Sequence, residues 1–202
     1  MKIVLVSGGF DPLHSGHIAY FQAAKKLGDK LVVALNSDEW LIRKKGKAFM
    51  PWDERACIIS ALGDVDVVLG FEDSDNTAGN AIFQTLAGFP NDEIVFANGG
   101  DRPAGNVPEY DMYGLNDNIE FVFGVGGEDK KNSSSLILKD WEAPKVKLEW
   151  GYYRNLYDGD GFKVKELVIA PHSALSMQQH KHRSETWNIV SGKASVVTNH
   201  RI

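Results

Sequence analysis

The chain has 202 residues, of which 43% are hydrophobic and 24% are charged, a balance typical of a globular protein with a buried core. The net charge of −5, with no basic stretch interleaved with aromatic residues, argues against a nucleic-acid-binding protein. The single cysteine excludes an internal disulfide, and no apolar stretch is long enough to span a membrane or resembles a secretory signal. A cytoplasmic enzyme or binding protein without a membrane partner is therefore expected.

Apolar runs alternate with segments of helical spacing through the N-terminal two thirds of the chain. Residues 3–6 and 30–35 predict buried strands, and residues 18–27 between them predict a helix that ends at Gly28. Further strands are predicted over residues 65–71, 93–97 and 118–123. This alternation predicts an α/β fold with a Rossmann-like, doubly wound parallel sheet, whose ligands bind beyond the carboxyl ends of the strands.

The turn between the first strand and the first helix carries the run Ser7-Gly8-Gly9-Phe10-Asp11-Pro12-Leu13-His14-Ser15-Gly16-His17. A helix N-terminus suits a phosphate group, because its first N–H groups are unpaired and the helix dipole favours negative charge. His14 and His17 can donate to phosphate oxygens and stabilise charge that develops on phosphorus during transfer. Gly16 leaves room for a nucleotide to approach the backbone. The turn lacks G-x-G-x-x-G, which argues against a dinucleotide-dependent oxidoreductase.

This run resembles the G-x-F-D-x-x-H-x-G-H signature of the cytidylyltransferase-like nucleotidyltransferases, which include glycerol-3-phosphate and ethanolamine-phosphate cytidylyltransferases and heptose-phosphate nucleotidyltransferases. The resemblance implies transfer of a nucleotidyl group from CTP or ATP, with Mg²⁺, to a phosphorylated sugar or polyol. By analogy with those cytidylyltransferases, a homodimer is also expected. The residues assigned to catalysis are His14, His17 and Lys47, the last being the lysine of a K-x-A-[FY] segment. Those assigned to nucleotide binding are Gly9, Phe10, Asp11, Gly16, Arg55, Gly100, Asp101, Arg102, Lys130, Ser133, Ser134 and Ser135.

Two later segments carry the same resemblance. Gly99-Gly100-Asp101 is similar to the family's G-[GD]-D segment, and Ser133-Ser134-Ser135-Leu136-Ile137 is similar to its S-T-[ST]-x-[IL] motif at a helix start. Taken alone, the serine cluster is simply a helix N-cap. The family's arginine before the serines has no counterpart, and Lys130 or Lys131 can replace only its charge. The choice between CTP and ATP therefore stays open.

Two arginines are candidates for contact with phosphate. Arg55 matches an arginine in the family's [YW]-x-x-R segment, and it either holds the preceding basic segment in place or pairs with Asp53 or Glu54. Arg102 has a planar guanidinium that suits a phosphate of the acceptor or the nucleotide. The loop over residues 103–118 follows it, and a loop of this length in a compact domain is usually functional. Acceptor specificity is expected there.

The composition changes after Pro144. Short strand-like runs follow, and the period-two alternation of residues 162–169 predicts a half-exposed antiparallel strand. Two domains are therefore predicted, over residues 1–142 and 145–202.

The second of these domains contains the run Gln178-Gln179-His180-Lys181-His182-Arg183-Ser184-Glu185-Thr186-Trp187. His180 and His182 are expected to face the same side of one strand, and two imidazoles with a carboxylate suit Zn, Mn or Fe. The run resembles the first motif of the cupin domain of type II phosphomannose isomerases, and this implies the metal ligands Gln178, His180, His182 and Glu185. No second cupin motif follows in the sequence. An incomplete barrel is therefore expected, as part of a longer protein or completed by another chain, and without catalytic activity of its own.

Three functions fit these observations. The first is nucleotidyl transfer by the N-terminal domain to a sugar or polyol phosphate. The second is metal-dependent isomerisation of a sugar phosphate by the C-terminal segment, which would survive the loss of His14. The third is a non-catalytic module that binds a nucleotide or sugar nucleotide tightly without releasing pyrophosphate.

Overall fold

The computed structural model describes residues 1–99, 107–127, 133–178, 180–182 and 184–197. The chain divides into two units, residues 1–144 and residues 145–202. The described strands of the first unit are β1 (Lys2–Gly8), β2 (Lys30–Leu35), β3 (Val67–Gly70), β4 (Glu93–Gly99) and β5 (Ile119–Val125). Its described helices are α1 (Ser15–Lys25), α2 (Asp38–Lys45), α3 (Trp52–Ser60), α4 (Gly79–Gly88), α5 (Pro108–Tyr113) and α6 (Ser134–Glu142).

The five strands of the first unit form one parallel sheet in the order β3-β2-β1-β4-β5. The chain builds the sheet outward from β1 to β3 and then returns to the other side of β1 to add β4 and β5. The strand order therefore reverses between β1 and β4, and ligands of such sheets bind in the crevice at that point. The predicted Rossmann-like doubly wound fold is confirmed.

Helices cover both faces of this sheet. Ile3 and Leu5 of β1 join an apolar cluster that includes residues of α4, whereas Val4 and Val6 join a second cluster with residues of α1 and α3. All four side chains are fully buried. A strand buried on both faces needs apolar residues at every position, which explains the continuous apolar run that predicted β1.

Residues 103–118 differ in part from the expected loop, because α5 occupies Pro108–Tyr113. Pro108 is its first residue, where the missing backbone N–H removes no helical hydrogen bond. Such a short helix has little periodicity in its sequence, and this is why it was not predicted. Residues 103–106 lie outside the described part of the chain.

The second unit contains an antiparallel sheet in the order β6-β7-β8, formed by β6 (Val146–Leu148), β7 (Gly151–Gly159) and β8 (Phe162–Ile169). β8 confirms the strand predicted over residues 162–169. The strand expected to carry His180 and His182 is not formed in the described residues after Ile169. A strand requires a neighbouring backbone to pair with, and the described residues offer this segment none.

None of the helices in the described ranges has the length and apolarity needed to cross a membrane.

Candidate active site

The loop after β1 and the first turn of α1 hold two histidines in contact. His14 is the N-cap of α1, and its Nδ1 accepts a hydrogen bond from the backbone N–H of Gly16 at 3.1 Å. In return, the backbone N–H of His14 donates to Nδ1 of His17 at 3.3 Å. The two imidazoles stack with ring centroids 3.7 Å apart and an interplanar angle of 25°. The pair therefore forms a capping box built from imidazoles instead of the usual hydroxyl and carboxylate.

These hydrogen bonds fix the tautomer of both rings. A backbone N–H can only donate, so both Nδ1 atoms are acceptors and carry no proton. A neutral ring then carries its proton on Nε2. Each histidine consequently presents an Nε2–H group as the donor that a substrate oxygen would meet.

Both histidines are neutral at physiological pH. Burial lowers the pKa of His17 to about 3, and the His14 ring when protonated and the Lys45 ammonium act in the same direction. Burial, and then the charge of Lys45, also lowers the pKa of His14. The pair can therefore donate hydrogen bonds to an anion at neutral pH, but it does not bring its own positive charge.

The positive charge beside this pair comes from Lys45, the last residue of α2. Its Nζ donates to the backbone oxygen of Asp11 at 3.0 Å. Its pKa is lowered, mainly by burial and also by the charge of Arg55, against the opposing effect of Asp11. Sequence reasoning missed this lysine, because it belongs to a basic run in which several positions are equivalent by pattern alone.

Lys47, the lysine predicted to be catalytic, has a different partner. Its Nζ contacts the carboxylate of Glu142 in α6, and its side chain is 62% exposed. The described structure thus places the ammonium of Lys45, and not that of Lys47, at the loop that carries the histidines. Lys47 was assigned by its match to a short motif. Such a match does not show which of two lysines, two positions apart in the same segment, reaches the histidine loop.

Asp11 and Phe10 hold the histidine loop in shape. The Asp11 carboxylate is buried and accepts hydrogen bonds from the backbone N–H groups of Phe49 at 2.7 Å and Met50 at 2.9 Å. The Phe10 ring packs edge-on against His17, with centroids 5.1 Å apart at 86°. Both residues were predicted to bind the nucleotide, but these contacts are within the protein. They position the loop, and the predicted contacts of Asp11 and Phe10 with the nucleotide stay predictions.

The glycines of this loop allow close packing. A Cβ at Gly16 would lie 3.0 Å from Cε1 of His14, and a Cβ at Gly9 would lie 2.7 Å from Cδ2 of Leu41. The first contact would push the imidazole away from its hydrogen bond. Gly16 therefore maintains the histidine pair directly.

Arg55 holds loop segments of the site in place, and its predicted contact with the nucleotide stays a prediction. It is only 1% exposed, and its guanidinium donates to the backbone oxygens of Gly9 at 2.7 Å, Asn36 at 3.0 Å and Met50 at 3.1 Å. It also pairs with the carboxylate of Asp38 at 2.5 Å. Of the two alternatives predicted for Arg55, the contacts fit the first, because the side chain is buried and bonds the backbone of three loop segments, including Met50 just before α3. Its acidic partner is Asp38 and not Asp53 or Glu54.

The start of α6 reaches the same loop. The hydroxyl of Ser134 donates to the backbone oxygen of Pro12 at 2.9 Å, and Ser133 is the N-cap, whose hydroxyl accepts from the N–H of Leu136 at 3.2 Å. Ser135 is exposed. The predicted serine motif therefore lies beside the histidine loop with a helix N-terminus, although the Ser134 hydroxyl is already used within the protein.

Four of the predicted nucleotide-binding residues lie outside the described residues: Gly100, Asp101, Arg102 and Lys130. Their predicted roles stay predictions.

The predicted metal ligands of the second unit are only partly brought together. Nε2 of His180 and Oε1 of Glu185 are 3.2 Å apart, and Oε2 of Glu185 accepts from the indole N–H of Trp187. Across the described residues, no group of three or more histidine, cysteine or acidic side chains is arranged to hold a metal ion. Binding by Gln178, His180, His182 and Glu185 therefore remains a prediction.

Comparison with known proteins matches both parts of the chain. Residues 5–137 match the family described as Cytidylyltransferase-like, and residues 140–202 match the family described as Mannose-6-phosphate isomerase C-terminal. Among curated proteins, the chain is 49% identical over 74 residues to the Bifunctional protein HldE of Campylobacter concisus. That alignment covers 36% of this chain and only 16% of the relative, so the chain spans about a sixth of the relative's length.

The solved structures that are similar to the chain include the following two proteins. The lipopolysaccharide core biosynthesis protein of Thermoplasma volcanium is 28% identical with a TM-score of 0.48, and the match covers 64% of this chain and 99% of that one. A bifunctional NMN adenylyltransferase/ADP ribose pyrophosphatase from Francisella tularensis is 13% identical with a TM-score of 0.50, covering 70% of this chain and 42% of that one. The second similarity concerns the fold alone.

Proposed function

The chain belongs to the cytidylyltransferase-like family of nucleotidyltransferases, and from that premise we propose that it transfers a nucleotidyl group from CTP or ATP to the phosphate of a sugar or polyol phosphate. The observation that carries this proposal is the pair of neutral imidazoles at the start of α1, each with Nε2–H as its donor. Such a pair suits phosphate oxygens that gain charge during transfer.

The proposed reaction is a single displacement at the α-phosphorus of the nucleotide. An oxygen of the acceptor phosphate forms a bond to that phosphorus, and the bond from it to the bridging oxygen of the β-phosphate breaks. The electron pair leaves with pyrophosphate. Since the acceptor phosphate is already an anion, no general base and no covalent enzyme intermediate are required.

Each part of the site then has a role. The Nε2–H groups of His14 and His17 donate to oxygens of the α-phosphate, and the ammonium of Lys45 offsets the charge that develops there. The N-terminus of α6, which starts at Ser134, suits the β- and γ-phosphates. Mg²⁺ would arrive on the triphosphate as part of the substrate and neutralise its charge.

The sugar character of the acceptor is supported by the second unit. Its match to the family described as Mannose-6-phosphate isomerase C-terminal associates the chain with sugar phosphates. The same match supports the second candidate, isomerisation by the C-terminal segment. That activity would need the metal ligands predicted there and would not depend on His17.

The test is an assay of pyrophosphate release with Mg²⁺, pairing CTP and ATP in turn with sugar and polyol phosphates. Wild type is expected to release pyrophosphate only when an acceptor is present, and His17→Ala is expected to abolish that release. His172→Asn is the matched control, because His172 is exposed in the second unit with φ of 61°, a conformation that asparagine tolerates.

Nucleotide binding without release for any pair would favour the non-catalytic module. Isomerase activity that persists in His17→Ala would favour the second candidate.

A further inference from the structure

Two buried polar side chains of the first unit each have an atom without a hydrogen-bond partner. Asn98, near the end of β4, is 6% exposed, and Glu109, in the first turn of α5, is 4% exposed. Within the described residues, no hydrogen bond reaches Nδ2 of Asn98 or Oε2 of Glu109. Because an unpaired buried polar group lowers stability, it is usually retained for a function, and a ligand is the simplest partner for it.

The two side chains lie on the same side of the sheet. Asn98 comes two residues after Phe96 in β4, so both side chains point to the face that α4 covers. Oε1 of Glu109 accepts a hydrogen bond from the backbone N–H of Ala78, the N-cap of α4. A buried donor and a buried acceptor are therefore present where the end of β4 and the starts of α4 and α5 come together.

The first turn of α5 packs on β5 at the level of Asn98. The ring of Tyr110 lies edge-on to Phe121 with centroids 5.2 Å apart, and its centroid is 6.5 Å from that of Phe123. Phe121 is the register partner of Phe96, so Phe123, two residues later, lies beside Asn98, where β5 carries an extra residue. Such bulges are frequent next to active sites, where they redirect side chains.

This corner of the sheet adjoins the histidine site. Tyr20 lies one turn of α1 after His17, and its hydroxyl donates to the backbone oxygen of Ala97 at 2.5 Å. A Cβ on Gly99 would lie 2.8 Å from the Tyr20 ring, so this tyrosine contacts the residues on both sides of Asn98. β4 also pairs directly with β1, and neighbouring strands are about 4.8 Å apart. The end of β4 is therefore one strand away from the histidine loop, at the crevice where such sheets bind nucleotides.

The chemistry of the two unpaired atoms identifies the group that they bind. A hydroxyl meets both needs at once, because it can accept from the amide of Asn98 and donate to the carboxylate of Glu109. Carboxylates accept hydrogen bonds from ribose hydroxyls in dinucleotide-binding Rossmann folds. The ribose is joined to the α-phosphate through one oxygen and one carbon, whereas the carbon skeleton of the acceptor is separated from it by a further phosphate. A ribose hydroxyl is therefore the hydroxyl nearest to a phosphate held by the histidines.

We propose that Asn98 and Glu109 bind a ribose hydroxyl of the nucleotide and make the site selective for ribonucleotides over deoxyribonucleotides. This inference rests on the proposed nucleotidyl transfer and adds to it the residues that recognise the sugar of the nucleotide.

The experiment compares kcat/KM for the active nucleotide, CTP or ATP, with kcat/KM for its 2′-deoxy and 3′-deoxy analogues. Wild type is expected to prefer the ribonucleotide about 100-fold over the analogue that lacks the bound hydroxyl, because that analogue leaves both buried groups unpaired. Equal use of the ribonucleotide and both analogues would overturn the proposal without any variant.

Two variants test the residues. Asn98→Leu removes the amide, and Glu109→Gln replaces the free oxygen by a donor while its remaining oxygen can still accept from Ala78. Each is expected to reduce the preference for the ribonucleotide to less than about threefold. The matched controls are Asn118→Leu, at the opposite edge of the sheet, and Asp111→Asn on α5, since both side chains are exposed. Both controls are expected to keep the preference of wild type.

Urea unfolding distinguishes binding from a structural role. Asn98→Leu is expected to keep or raise the urea midpoint, because it removes a buried amide that has no partner in the described structure. A lower midpoint with an unchanged preference for the ribonucleotide would show that Asn98 is structural and would overturn the proposal. If Asn98→Leu does not fold, Glu109→Gln decides by the same comparison. A rise in KM for the acceptor alone in either variant would assign the hydroxyl to the acceptor and would also overturn it.

If wild type releases no pyrophosphate with any pair of substrates, the proposed transfer fails by itself. Calorimetric titration of CTP, ATP and their deoxy analogues then tests the sugar site. Tighter binding of a ribonucleotide that is lost in both variants would support the site, whereas equal binding of the analogues, or no nucleotide binding, would overturn it.

Discussion

Lys45 donates a hydrogen bond from Nζ to the backbone oxygen of Asp11 at 3.0 Å, so an ammonium group lies at the loop that also carries the stacked histidines. The two rings are neutral and offer a ligand hydrogen bonds without positive charge, whereas phosphoryl transfer also needs positive charge near the reacting phosphorus. Lys45, which contacts this loop, therefore supplies the positive charge that the two neutral histidines lack.

Lys45→Met is expected to reduce kcat/KM by about 100-fold, because it removes a charge that acts on the transition state in a partly buried site. Lys47→Met is the matched control in the same segment, and it is expected to change kcat/KM by less than about threefold. Steady-state kinetics of pyrophosphate release measures both. A large loss in Lys47→Met with a small one in Lys45→Met would reverse the assignment.

The fold and the position of the histidine site could be predicted because they depend on local patterns. Continuous apolar strands identify a sheet buried on both faces, and a glycine-rich turn at a helix start identifies a phosphate site. The contact between the histidines could be predicted from their spacing of three, which puts one at the N-cap of α1 and the other in its first turn.

The partners of the basic residues could not be predicted, because they depend on contacts between distant segments. Lys45 and Lys47 differ by two positions in one run, yet one reaches Asp11 and the other reaches Glu142. Arg55 likewise bonds the backbone of segments up to 46 residues away, and nothing in its local sequence indicates this. The strand expected at His180 is absent from the described residues for the same reason, because a strand needs a pairing partner elsewhere in the chain.

The buried histidine pair makes stability sensitive to acid. The pKa of His17 is about 3 in the folded protein, compared with about 6.5 for an unfolded histidine. Between these values the unfolded state binds more protons, so this contribution is fully present above pH 6.5 and is lost as pH falls toward 3.

Urea unfolding at pH 7, 5 and 4 is therefore expected to show a falling midpoint in wild type and a smaller fall in His17→Gln. The glutamine can still accept the hydrogen bond from the backbone of His14 but cannot be protonated. Parallel pH dependence in the two proteins would show that His17 is not the group responsible.

The hydroxyl of Ser134 connects α6 to the histidine loop. Ser134→Ala leaves the backbone oxygen of Pro12 without this donor, so we expect a loss of about 1 kcal/mol in the free energy of unfolding. Because the start of α6 would also shift, KM for the nucleotide is expected to rise severalfold. Ser135→Ala serves as the control on the same helix turn, since Ser135 is exposed. A larger effect on KM from the control would mean that Ser135, and not the Ser134 contact, determines phosphate binding.

Substitutions of Arg55 can distinguish a residue that keeps the backbone of the site in place from one that contacts the nucleotide. Arg55→Met leaves the backbone oxygens of Gly9 and Asn36 without this donor, and each buried acceptor left unpaired costs about 1–3 kcal/mol. The Asp38 carboxylate adds less, because it is 33% exposed and still accepts from the backbone N–H of Trp52. Chemical denaturation should show that loss, whereas Glu54→Ala, an exposed change on the same helix, should stay within about 0.5 kcal/mol of wild type. Arg55→Lys should fall between them, because lysine keeps the charge but cannot reach several oxygens at once. If Arg55 instead bound the nucleotide directly, Arg55→Met would raise KM for the nucleotide while leaving the unfolding transition unchanged.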